Sequence, residues 1–281
     1  MRKHFGSMAA VCLLFGGFLV SSQFPATAQD QGGGTTAPPK ILVIQNEALK
    51  PGRGGAMHQR TESAFIRAFT AAKSQERYLG MDALSGKSRS IFFLRYDSLE
   101  AWQKDLDAAQ KDPTLGSALD AAAIADGDNL EAFEQSVYLL RDDLSLHAAV
   151  KIEDMRYMEI MVFKIRPGHD KDWDDLVKMY SNAYDKIPGA HWATYQKLYG
   201  TDSGSRFLAI TPLKSLAEAD QELISDKTVS TARSADQAKK MAEMNAAVVE
   251  SVEVHLFAIN PRISYVPEAW TTASPSFWGQ K

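Results

Sequence analysis

Apolar and polar positions along this chain fall into blocks whose period changes in a repeating order. ILVIQNEALKPG, Ile41 to Gly52, reads as a strand closed by a turn, and TESAFIRAFTAA places Ala64, Phe65, Ala68, Phe69 and Ala72 on one helical stripe. RYLGMDAL and SIFFLRY read as strands around an SGKS turn. Ser98 opens a helix through about Gln110, an Ala-rich helix covers roughly Leu115 to Phe133, and SVYLLR closes the unit as a strand.

The second half repeats this order. YMEIMVFKIRPG is a strand and turn, and Trp173, Leu176, Val177, Tyr180 and Tyr184 form a helical stripe. HWATYQKLYG and RFLAI are strands. Ser215 and Glu218 stand at capping-box spacing, an Ala-rich helix runs from about Thr231 to Val249, and VEVHLFAI ends the unit. Pro51 matches Pro167, DSLEAW matches KSLAEAD, and Glu134 matches Glu253, in one order and near-constant register. Such self-similarity points to duplication.

Each unit therefore reads β-α-β-β-α-α-β. Right-handed crossovers and short hairpins fold that order into a four-stranded antiparallel sheet, order 4-1-3-2, with helices on one face. The expected fold class is α+β, with two tandem ferredoxin-like repeats (residues 40–145 and 150–265) packed sheet to sheet as a pseudo-dimeric barrel. YMEIMVFKIRPGHDKDWDDLVKMY supplies a resemblance as well. Glu159, eight residues before the Pro167-Gly168 turn, and Trp173 in the following helix are similar to the opening of the NIPSNAP and antibiotic-biosynthesis-monooxygenase-like families of the dimeric α+β barrel group. The chain departs from the NIPSNAP-like pattern at Met161 and Phe163, and the first copy has Val43 at the Glu position. The resemblance implies a barrel, in a group that includes cofactor-free oxygenases, haem proteins and small-ligand binders.

Arg2 and Lys3, the apolar run Ala9 to Val20 and ATA at 26–28 read as a signal peptide over residues 1–28, so the protein is expected to be exported, to a periplasm or beyond. The only cysteine, Cys12, leaves with that segment, which removes disulfides and thiolate chemistry from the mature chain. Residues 29–39, QDQGGGTTAPP, read as a disordered linker. Loss of Arg2 and Lys3 takes the formal net charge from −4 to −6. No Lys/Arg cluster favours nucleic acid, and no membrane contact is expected after cleavage. The expected state is a monomer or weak homodimer. The tail, residues 266–281, carries Trp270, Phe277 and Trp278 among Pro and Ser, and reads as an aromatic strap across the barrel rather than a regular helix.

Strand parity then selects the candidate chemistry. Met158, Ile160 and Val162 form the cleaner apolar face, which predicts that they lie under the helices. Tyr157, Glu159, Met161 and Phe163 then face the other sheet, as do Val43, Gln45 and Glu47 in the first copy. By the same alternation Glu253, His255 and Phe257, Trp192 and Thr194, and Tyr78 point inward. A mixed polar and aromatic inner face implies a cavity between the sheets, because unpaired buried polar groups are costly. The expected ligand-binding set is Gln45, Glu47, Tyr78, Met161, Phe163, Trp192, Thr194 and Phe257, around a small, partly aromatic molecule. Glu159 and His255 sit on strands expected to be neighbours, where a carboxylate beside an imidazole would make a general base.

Three readings stay open. The first is a ligand binder, the second a cofactor-independent monooxygenase-type enzyme using Glu159 and His255, and the third a structural or interaction module whose inter-sheet space is packed. No zinc spacing, P-loop, GxSxG or GxGxxG context occurs, so no metal site and no cofactor is expected. Haem is left open through His191 beside Trp192. His169 to Asp172 reads as a helix first turn, and His58 and His147 read as loop residues.

Overall fold

A computed structural model describes residues 35–280. The expected signal peptide and the start of the expected linker lie outside the described residues. The first half runs β1 (Ile41–Leu49), α1 (Ala56–Ala71), β2 (Tyr78–Ala83), β3 (Arg89–Tyr96), α2 (Leu99–Lys111), α3 (Pro113–Gly127) and β4 (Leu130–Leu140). The second runs β5 (Tyr157–Ile165), α4 (Asp170–Tyr184), β6 (Ala193–Tyr199), β7 (Arg206–Leu213), α5 (Leu216–Ala232), α6 (Ala235–Val248) and β8 (Val249–Ile259). Two short helices follow, α7 (Glu268–Ala273) and α8 (Pro275–Trp278).

All strand pairings are antiparallel, and the strands close into one barrel in the order β1-β3-β2-β8-β5-β7-β6-β4. The halves are joined by hydrogen-bonded seams, β2 to β8 at Met81↔Ile259 and β4 to β6 at Leu139↔Gln196. Closure removes the sheet edges that two stacked sheets would leave unpaired. The turn written twice in the sequence has one backbone solution: Gly52 and Gly168, after Pro51 and Pro167, adopt φ of 78° and 85°, where a side chain is disfavoured.

Local chemistry sets the helix boundaries. The Ser98 side chain accepts from the Ala101 amide at the start of α2. Asp112 accepts from Thr114 and Leu115 at the start of α3, which ends at Gly127 rather than reaching Phe133. The capping box lies at Ser234 and Gln237 at the start of α6; at the start of α5 the Ser215 side chain caps nothing, and Glu218 accepts from the Lys214 amide instead.

The interior of the barrel corrects the parity expectation. Leu42, Phe93, Met158, Ile160, Tyr195, Ile210 and Phe257 pack together inside, and Val162 packs against them. Ile41, Val43, Phe92 and Val137 instead pack under α1 and α3 with Phe69 and Leu115. Phe163, Ile165 and Phe207 pack with Trp173 and Leu176 of α4. The cleaner aliphatic faces went inward because the closed barrel is the one compartment sealed from water on every side, where a polar group has fewest partners.

Segments near both ends of the described residues plug the barrel. Trp270 and Trp278 are buried with ring centroids 5.2 Å apart, and Trp278 Nε1 donates to the Glu153 carbonyl at 2.9 Å. The expected strap is thus partly helical. Thr36 bridges Val150, and Tyr195 Oη donates to the Pro39 carbonyl at 3.0 Å, so the expected linker ends before Thr36. The cavity left between Pro39, Leu42, Phe93, Tyr195 and Trp270 is about 80 Å³. Small-molecule sites usually measure about 300–1,000 Å³. The expected inter-sheet ligand chamber is therefore filled by aliphatic and aromatic side chains.

Candidate metal centre

The sequence-predicted pair does not meet. Glu159 stands opposite Leu256 and His255 opposite Ile160, and adjacent positions on a strand point to opposite faces, so the two lie on opposite sides of the sheet. Glu159 lies on the helix side near Asp226, and its pKa is raised by burial and then by that charge. His255 contacts Phe257 and, at 3.1 Å, Glu253. The expected ligand set is dispersed for the same reason. Phe257 is inside the barrel. Met161 and Phe163 share the helix-side face of β5, as Gln45, bonded to Gln135, does on β1. Trp192 Nε1 and Thr194 Oγ1 both donate to the Leu144 carbonyl, a structural use. His191 directs its two ring nitrogens at the carbonyls of Gly189 and Pro212, at 2.7 and 2.8 Å, so neither is aimed at a haem iron.

Two members of that set, Glu47 and Tyr78, lie where chemistry does converge, between the sheet and helices α1 and α3. Glu47 ends the helix-side face of β1. His58 and Glu62, one turn apart, project from α1, and Asp126 from the last turn of α3. All four are buried, at 7, 1, 4 and 2% exposure, and one ligating atom from each fits within 4.8 Å of the others. His58 Nε2 lies 2.8 Å from Glu47 Oε2 and 3.7 Å from both Glu62 Oε1 and Asp126 Oδ1. Glu62 Oε1 is buried without a hydrogen-bond partner.

Behind the cluster, Asp126 Oδ1 accepts from Thr61 Oγ1 at 2.5 Å, and Asn129 Nδ2 donates to Thr61 Oγ1 at 3.1 Å. Ser90 Oγ donates to Asp82 Oδ1 at 2.5 Å and lies 3.3 Å from His58 Nδ1. A hydroxyl has one proton, so Ser90 meets His58 as an acceptor and Nδ1 carries the N–H. At Nε2, 2.8 Å from a carboxylate oxygen, either a proton or a cation must lie between the two atoms.

Three carboxylates facing one imidazole in a dehydrated space are electrostatically unbalanced. Burial first, then Glu47, Asp126 and Asp82, push the Glu62 carboxyl up to about 10. Burial also raises Glu47, against the lowering effect of its bond to His58. For His58, burial opposes the charged form, but the Glu47 hydrogen bond and the surrounding carboxylates carry it net upward. Tyr78 Oη is also buried without a partner, and burial, then Glu62, raise its pKa far above the phenol range.

The corresponding place in the second half is apolar. Glu47 pairs with Ser90 across β1 and β3, as Phe163 pairs with Phe207 across β5 and β7. His58 touches the first pair. Trp173 of α4 packs at a tilt against the second, with ring centroids at 4.8 and 5.2 Å. An aromatic trio thus fills this position without buried charge, so the architecture does not need the polar cluster in order to close.

The sequence pattern reads His58 as a loop residue, whereas it lies in α1. Helix α1 begins at Ala56 after Gly55, without a side-chain cap to announce it. The signal available was the spacing of His58 and Glu62, which faces both side chains the same way once the helix is known to include them.

No family model and no curated protein matches the sequence. Among solved structures, the chain is similar to an anthrone oxidase-like protein, with 14% identity and a TM-score of 0.50 over 80% of this chain and 93% of that one. A candidate monooxygenase from Lactobacillus acidophilus NCFM gives 11% identity and a TM-score of 0.48, over 78% and 93% of the two chains. Chlorite dismutase from Candidatus Nitrospira defluvii in complex with imidazole gives 10% and 0.43, over 83% and 95%. At these identities the likeness is one of fold: a mixed α+β architecture around an eight-stranded antiparallel barrel.

Proposed function

We propose that this protein binds one divalent first-row metal ion through Glu47, His58, Glu62 and Asp126, and that the ion clamps α1 and α3 to β1. The observation that carries the reading is the convergence of Glu62 Oε1, buried and unpartnered, with His58 Nε2 and two more carboxylates. Ligands at about 2.1 Å from an ion lie about 3.0 Å apart at right angles and about 4.2 Å apart when opposed. The separations of 3.7 Å fall in that range, the 2.8 Å separation lies just below it, and the 4.8 Å limit exceeds its upper end by about 0.6 Å, which ion binding would have to draw in. One imidazole with three carboxylate oxygens suits Mn²⁺, Fe²⁺ or Zn²⁺ rather than a thiophilic ion such as Cu(I). A +2 charge offsets most of the carboxylate charge that protons otherwise neutralise. Four ligands from buried side chains suit a structural or storage ion rather than one that keeps a position open for substrate.

The monooxygenase-type reading loses its motivating pair, since Glu159 and His255 occupy opposite faces. We also infer that the two halves descend from one duplicated unit, supported by their common element order and the paired Pro-Gly turns. Export through cleavage after Ala28 remains part of the proposal, on the sequence alone.

The test is metal uptake. Chelator-stripped protein should take up one Mn²⁺, Fe²⁺ or Zn²⁺ per chain. At an ion concentration one hundred times Kd, stability should rise by about 2.7 kcal/mol. His58→Ala should abolish both effects. Wild-type protein that neither retains nor gains an ion at millimolar concentration would overturn the proposal.

A further inference from the structure

The chain of contacts behind His58 does more than fill space. Asp82, on the helix-side face of β2, uses both carboxylate oxygens. Oδ2 accepts from Asn260 Nδ2 at 2.6 Å, and Oδ1 from Ser90 Oγ at 2.5 Å. Asn260 follows the last residue of β8, so this anchor crosses the seam between the halves. Ser90 is fully buried, and beside Asp82 its hydroxyl meets His58 Nδ1 at 3.3 Å. The order of donors is therefore fixed from one end. The Asn260 amide can only donate through nitrogen. Asp82 accepts at both oxygens, and the Ser90 hydroxyl, having given its proton to Asp82, can only accept from His58.

We propose that Asp82 and Ser90 are positioning residues that hold His58 with its proton on Nδ1, leaving Nε2 as the metal-ligating atom. The proposal rests on the metal reading for its consequence and on the hydrogen-bond chain for its substance. Outer partners of ligating histidines fix the tautomer and ring orientation, and their loss weakens metal binding by about 10–100-fold. Thr61 and Asn129 serve Asp126 from the other side, so the outer contacts come from α1, β2, β3 and the turn between α3 and β4.

Asp82→Asn inverts the logic without changing shape. Asn260 still requires an oxygen, so the new amide turns its NH₂ toward Ser90. Ser90 then accepts that bond and passes its own proton to His58 Nδ1, which transfers the ring proton to Nε2 and blocks the ligating atom. Ser90→Ala removes the contact without supplying an alternative.

The experiment uses full-length mature protein. The ¹⁵N shifts of His58 are read in the metal-free state, at a pH where the ring is neutral, and Zn²⁺ and Mn²⁺ affinities are measured by calorimetry. Wild type should show a protonated Nδ1 and a bare Nε2. Asp82→Asn should show the opposite tautomer with a thermal midpoint close to wild type, and both variants should bind metal at least about tenfold more weakly. If Asp82→Asn keeps the wild-type tautomer, or if wild type binds and both variants match its affinity, the relay is wrong. If wild type takes up no metal, the metal reading falls, and the ¹⁵N result alone decides the relay.

Discussion

Replacing Glu62 by Gln isolates the electrostatic cost of the cluster. Without metal, the Glu62 carboxyl has a pKa of about 10 in the folded protein against 4.5 for an ordinary glutamate. A carboxyl with a raised folded-state pKa binds more protons folded than unfolded, so its contribution is most favourable below about pH 4.5 and declines as pH rises toward 10. The slope is about 1.4 kcal/mol per pH unit, which makes the cost at pH 7 about 3 kcal/mol. Gln has the same shape and no charge, and so removes that cost. In chelated protein at pH 7, Glu62→Gln should be more stable than wild type by about 1–3 kcal/mol, the lower value allowing for local relaxation and water entry. Urea denaturation in EDTA at pH 5, 7 and 8 measures this, and the advantage should grow across the series. With saturating Zn²⁺ or Mn²⁺ the order should reverse, because the variant loses one ligand and the stabilisation that binding gives wild type. A variant less stable than wild type in EDTA at pH 7, or an advantage that does not change with pH, would refute the reasoning.

Two further outcomes concern the ends of the chain. Trp278→Ala removes a side chain that is 1% exposed and leaves a void at the barrel mouth, so the urea-measured stability should fall by about 3–5 kcal/mol. N-terminal sequencing of exported protein should begin at Gln29, and a chain that still began at Met1 would remove export from the proposal.

The order of elements was legible because hairpins, crossovers and turn residues act locally. SGKS between two β-rich runs, Ser98 before a helix and Pro-Gly before another each have few backbone solutions, and the 4-1-3-2 strand order follows from chain connectivity. Parity was not legible. On β5 the faces Met158, Ile160, Val162 and Tyr157, Met161, Phe163 both carry large apolar groups, since one packs inside the barrel and the other under helices. Pattern reasoning identifies a strand with one wet face reliably, but here neither face is clearly wet. Reversing that single choice reverses Glu159 against His255 and empties the supposed ligand chamber. It also turns Glu47, wrongly placed inside, toward α1.

The polar cluster was hidden by a different circumstance. Its four members come from β1, α1 and α3, separated in the chain and joined only when α3 returns against α1. No spacing rule spans that distance, and the one local clue, His58 with Glu62, depended on a helix start that Gly55 leaves unmarked. Comparison of the halves supplies what the sequence lacked. Phe163, Trp173 and Phe207 show that this position under the first helix of a half can be closed with aromatic packing. Buried carboxylates there are expensive, and a replacement by packed apolar groups is often neutral or stabilising. A polar cluster in one half, where the other closes the corresponding place without charge, supports the proposal of a ligand that needs it. A divalent cation would meet that need, because it would satisfy the unpartnered Glu62 oxygen and offset both the burial and the neighbouring carboxylates that raise the Glu62 pKa to about 10.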